Sequence, residues 1–91
     1  MEDPISYLRP EVLAFAIAME RELRANDYKG GWKECDSASL LQHLDEEVYE
    51  LTEEAMKSTS ENVLSEAADV ANLAMMVADV MGGLRHAYEK E

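Results

Sequence analysis

The stretch Glu66–Met81, EAADVANLAMMVADVM, decides how this chain folds. From Ala67 onward its only polar residues are Asp69, Asn72 and Asp79, so a helix built from it is apolar almost all round. Helices of that kind lie inside a bundle rather than on its surface. At about 100° per residue, Glu66 and Asp69 project roughly 60° apart, in the direction continued by Val70, Leu73, Val77 and Val80. Both acids are expected to face an interior. A carboxylate there needs a cation, a set of strong donors or a proton. No Lys or Arg occurs between Lys57 and Arg85, so the helix brings no positive charge of its own. A bound metal ion is the simplest partner.

The preceding helix carries a second acidic group, Glu46-Glu47-Val48-Tyr49-Glu50. Its three acids fall within an arc of roughly 100°. Glu53 and Glu54 extend that arc, and taken alone it reads equally well as a solvated face. Leu40, Leu41, Leu44, Val48, Leu51 and Ala55 form the apolar side, placed roughly opposite the acids. The Ser/Thr turn at 58–60 is short, which makes the two helices antiparallel neighbours and lets their acids converge. Carboxylates without paired His or Cys make a hard, all-oxygen site, suited to Mg²⁺, Mn²⁺ or Ca²⁺. The glycine-centred EF-hand loop is absent. So is the Glu-x-x-His of di-iron bundles, since His43 precedes the glutamates and His86 has no acid three residues before it. Magnesium keeps positions open for water and phosphate oxygens, which points to phosphate chemistry.

The spacing Glu-Glu-x-x-Glu, fifteen residues, then Glu-x-x-Asp resembles the signature of the MazG-like all-α nucleoside triphosphate pyrophosphohydrolases, relatives of the dimeric dUTPases and dCTPases. Lys29-Gly30-Gly31-Trp32 before the first motif helix and the run Asp69–Met76 after the second acid extend the likeness over about half the chain. The longer insert that some relatives use for base selection is missing. The resemblance implies Mg²⁺-dependent attack of water at the α-phosphorus of a nucleoside triphosphate, giving monophosphate and pyrophosphate, with Mn²⁺ as a substitute ion. It implies Glu47, Glu50, Glu66 and Asp69 as metal ligands. Glu46 is the outer carboxylate that orients or deprotonates the water, a role it could exchange with Glu47. Lys29, Trp32, Lys33 and Asn72 are the implied substrate contacts.

The remaining chain fills in the frame. Ninety-one residues make a single domain, 1–91, whose core is marginal at this size. Expected helices cover about 10–26, 38–57 and 61–81, with a loop at 27–37 and a possible helical extension at 84–89. Pro10 opens the first helix, and Leu8, Val12, Phe15, Ala16, Met19 and Leu23 form its buried stripe. Asp36 or Ser37 caps the second helix and Ser60 the third. In the loop, Trp32 either stacks on a nucleobase or plugs the end of the bundle. Asn72 either serves the site or bridges neighbouring backbone, because a buried amide needs partners. His43 lies one turn before the acids and pairs with a glutamate or touches substrate. A helix that is apolar on most sides cannot be covered by two others alone, so a homodimer completing four-helix-bundle packing is expected. The lone Cys35 excludes an internal disulfide and fits a reducing cytoplasm. A net charge of −12 argues against a nucleic-acid or anionic-membrane surface. It also requires metal ions to neutralise the site before a triphosphate enters. No stretch is apolar enough to span a bilayer, and Met1 to Pro4 is polar rather than a targeting segment. Two alternatives stay open: a catalytically silent acidic dimer binding a regulatory nucleotide or divalent ion, and a protein-interaction bundle.

Overall fold

Local capping chemistry sets the ends of the helices in the computed structural model, which describes residues 3–57 and 61–88. Asp3 caps a 3₁₀ turn over Pro4–Tyr7 by accepting the Ile5 N–H. Helix α1, Pro10–Ala25, starts on a proline whose missing N–H costs nothing in a first turn. It ends at Asn26, whose side-chain amide donates to the Glu22 carbonyl (3.0 Å). A second 3₁₀ turn, Asp27–Lys29, leads to Gly30, which takes φ 91°, a conformation that favours glycine. Helix α2, Ser37–Ala55, is capped by Asp36, whose Oδ1 accepts the Ser39 N–H at 3.0 Å. Hydrogen bonding from Ser39, side chain first and then this backbone N–H, holds the Asp36 carboxyl below its usual range. Helix α3 spans Val63–Val80, preceded by Asn62 without a side-chain cap bond. The expected cap Ser60 lies outside the described residues. The end of α3 is a Schellman turn, in which the Gly82 N–H donates to the Asp79 carbonyl and the Gly83 N–H to the Ala78 carbonyl. Gly82 supplies the left-handed φ of 84° that this turn requires. A short helix, α4, follows at Leu84–Tyr88.

The fold is all-helical, with three main helices and no strand among the described residues. Helix α3 is the central one, packed more extensively on α2 than on α1. The buried residues are few: Ala18, Leu40, Ala68 and Leu73, with Asn72 as the buried polar group. Ala68 is fully buried, a small side chain that lets the helix axes come close.

Two expected faces are rolled from where periodicity put them. On α1 the buried centre is Ala18, while Val12 is 48% exposed and Ala16 is exposed as well. On α2 the packed side holds Leu40, Leu44, Glu47 and Leu51, whereas Leu41 and Val48 are exposed. Glu47 therefore lies within the packed side of α2 rather than opposite it. The cause is that α2 meets one neighbour, α3, and the apolar residues about 80–100° round from that seam have nothing to cover them. The chain exposes 7219 Å², well above the roughly 5,300 Å² expected of a compact folded chain of its mass. Among the described residues, no helix is long and apolar enough to cross a membrane.

Candidate metal centre

The α2–α3 seam brings together Glu47, Glu66 and Asp69. Each offers a carboxylate oxygen within 4.8 Å of those of the other two. Glu47 sits four residues before Leu51 and three after Leu44, so the register that packs those leucines on α3 carries the glutamate inward too. Its side chain is 14% exposed. One oxygen each of Glu47 and Glu66 is buried and accepts no hydrogen bond among the described residues.

Like charges this close are costly. At an effective dielectric of about 20, unit charges 4.8 Å apart repel by roughly 3 kcal/mol. The acids respond by holding protons more tightly. Burial, then the charges of Glu50 and Glu47, raises the Glu66 pKa. Burial, then Glu22 and Glu47, pushes Asp69 up to about 6. His43 Nε2 lies 3.3 Å from Glu47 Oε2, at pairing distance to that oxygen, while Oε1 is left without a partner.

The other acids of the motif sit differently. Glu50 is exposed and stands outside the trio, though its charge bears on Glu66 and Asp69. Glu46 is exposed too, about 100° round α2 from Glu47.

Beside the trio a cavity of about 510 Å³ opens, lined by Glu47 and Asp69 together with the loop residues Lys29, Gly30, Gly31 and Trp32. The loop is held there by Asp79, in the last turn of α3. The Trp32 indole N–H donates to Asp79 Oδ2 at 2.9 Å, and Lys33 Nζ donates to the same oxygen at 2.5 Å. These two donors, Lys33 first, hold the Asp79 carboxyl below its ordinary range. Lys33 is thereby drawn to Asp79 and does not line the cavity, whereas Lys29, Trp32 and Asn72 do. Asn72 is 4% exposed, and its amide donates to the Met19 carbonyl of α1 at 3.0 Å. Its Oδ1 is buried without a partner among the described residues.

No family model, curated protein or solved structure matches this chain. What the site can do therefore rests on its own chemistry. Three clustered carboxylates, two of them with a buried oxygen unpartnered among the described residues, form a hard donor set that fits Mg²⁺ or Mn²⁺.

Two residues that help build the site carry a weaker signal along the chain. Asp79 follows Asp69 at a spacing that keeps both toward one side of an apolar helix, a sign that it too needed a partner. Glu22 lines the cavity from α1. Its signal was the place it takes on the helix, four residues after Ala18 and three after Met19.

Proposed function

We propose that this chain is a Mg²⁺-dependent, MazG-like nucleoside triphosphate pyrophosphohydrolase, converting a (d)NTP and water to (d)NMP and pyrophosphate. The observation that carries it is the group of three carboxylates at the edge of a nucleotide-sized cavity, two of them with buried oxygens that lack a partner among the described residues. Glu47, Glu66 and Asp69 hold the ion, with Glu50 supporting them from the exposed side. When bound, the ion polarises phosphate oxygens and lowers the pKa of a coordinated water. Lys29, on the loop, meets phosphate oxygens in the cavity. Trp32 offers a stacking face for the base while its N–H stays on Asp79. The Asn72 Oδ1 accepts a hydrogen bond from substrate. Glu46 keeps the outer, water-orienting role. Comparing Glu46→Gln with Glu50→Gln tests that division: a larger loss of kcat in the Glu50 variant moves the role one turn along α2.

A homodimer belongs to the same proposal. The surplus of exposed surface, with Val12, Leu41 and Val48 open on two helices, is of the size that an obligate two-fold partner covers. Sedimentation at sub-micromolar concentration checks this, and a stable monomer ends it. A cytoplasmic setting goes with the free, exposed Cys35.

The deciding experiment is a panel of ribo- and deoxyribonucleoside triphosphates, with and without Mg²⁺, assayed for monophosphate and pyrophosphate. Mg²⁺-dependent release of both products is expected; release of orthophosphate, or no turnover across the panel, rejects the assignment. The exposure of Glu46 favours one second reading, a dimer that binds nucleotide and metal without hydrolysing it. Binding without product would identify that case.

A further inference from the structure

Glu22 is the α1 acid that lines the same cavity as Glu47 and Asp69. It is half-buried, and its carboxylate takes part in no hydrogen bond or ion pair among the described residues. Glu20, two residues earlier, is tied instead to Arg24 at the surface (3.1 Å). The placement of Glu22 follows from the Asn72 amide, which is bonded to the Met19 carbonyl and so fixes the register between α3 and α1. Glu22 lies three residues after Met19, and Asp69 three before Asn72. One turn beyond the bond on each helix, Glu22 and Asp69 share the cavity wall. Consistently, Glu22 is the foremost of the charges that lift the Asp69 pKa, after burial itself.

A second observation is independent of the acids. Asn72 is 4% exposed and lines this cavity, and its Oδ1 has no donor. A buried amide oxygen left open in this cavity marks it as a place that receives a ligand from outside the protein. Charge balance agrees: the cavity is lined by Glu22, Asp27, Glu47 and Asp69 against a single lysine, Lys29.

We infer that Glu22 is a carboxylate of the cation site contributed by α1, so that the site draws on three helices rather than the two that carry the acidic motif. The inference rests on the cation-site proposal above. Glu22 stands outside the close trio. It would therefore act from beside the trio, through water rather than by direct ligation.

Mn²⁺ binding, followed through the electron paramagnetic resonance of the free ion, tests this without any turnover. The chains compared are the wild type, Glu22→Gln, Glu22→Asp, Glu47→Gln and the surface control Glu20→Gln. Loss of a carboxylate that holds metal-bound water is expected to weaken Mn²⁺ binding roughly tenfold in Glu22→Gln. Glu22→Asp falls in between, and Glu20→Gln stays within about twofold of wild type because its charge is exposed and screened. Without metal, Glu22→Gln melts no lower than wild type, since it relieves repulsion on Asp69; this separates a ligand role from a structural one. Wild-type affinity in Glu22→Gln, with binding lost in Glu47→Gln, overturns the assignment of Glu22 and leaves the cation site standing. Absence of Mn²⁺ binding by the wild type itself overturns both.

Discussion

Asp69 and Asp79 are the same residue type on the same helix, and the structure treats them in opposite ways. Asp79 receives the Trp32 N–H and the Lys33 ammonium, which stabilise its charge and keep its pKa low. Asp69 lies among Glu22, Glu47 and Glu66 in a half-buried seam, and its pKa is pushed up to about 6. One carboxylate has its counter-charge supplied by the fold. The other has only like charges and partial burial, a repulsion that a bound cation would relieve. A site of this kind trades stability of the empty protein for affinity toward the ion.

The largest test of that contrast replaces Asp69. Asp69→Asn should reduce turnover by on the order of 10² to 10³-fold, the scale seen when a group stabilising transition-state charge is removed. The same variant should melt at the same temperature as the metal-free wild type, or higher, because a repelled charge is gone. Retained activity would break the comparison at its main point.

Next comes Asp79→Ala, which leaves the Trp32 N–H and Lys33 without their shared acceptor. Here the melting temperature should fall, by about 5 °C, and KM should rise as the loop loses its anchor. Unchanged melting by calorimetry would show that the clamp is incidental.

Titration sharpens the contrast further. The folded-state pKa of Asp69 is raised from 3.8 to about 6. Its contribution to stability is therefore complete below the ordinary value and is lost as pH rises through about 6. Metal-free protein should melt a few degrees lower at pH 7 than at pH 5, and saturating Mg²⁺ should remove the difference. Asp79 behaves inversely: its stabilisation is present above the ordinary carboxylate range and is lost only as pH falls through its lowered pKa. Across pH 5 to 7 it is ionised throughout and contributes no slope. A metal-free protein with no such slope would show that the trio is too well solvated to need an ion.

The smallest effect belongs to Trp32. Trp32→Phe keeps an aromatic face, though a smaller one, and loses one hydrogen bond to Asp79, which Lys33 still serves, so the melting temperature should shift by about 2–3 °C. Trp32→Ala should raise KM more than it lowers stability; a loss of melting temperature alone would make the indole a plug for the end of the bundle.

Much of this arrangement was legible along the chain. Helical periodicity and the nearly all-apolar run after Glu66 point to a central third helix, and Ala68, Asn72 and Leu73 are buried there. Glu66 and Asp69 could be placed inward because almost any inward direction on that helix is apolar. The acids of α2 were harder. Glu46 and Glu47 are neighbours in sequence but about 100° apart around a helix. Which of them meets α3 depends on how α2 rolls against it. The roll is set by Leu40, Leu44 and Leu51 against their partners on α3, and no residue of α2 records it alone.

The amino-acid order by itself determined the three main helices, the Asp36 cap of α2 and the Pro10 start of α1, because each depends on interactions within a few residues. Only tertiary structure decided that Lys33 goes to Asp79, that Asn72 bonds Met19, and that Glu22 joins acids from two other helices. The two hydrogen bonds join residues 46 and 53 positions apart, where helix register and roll, rather than local propensity, choose the partner.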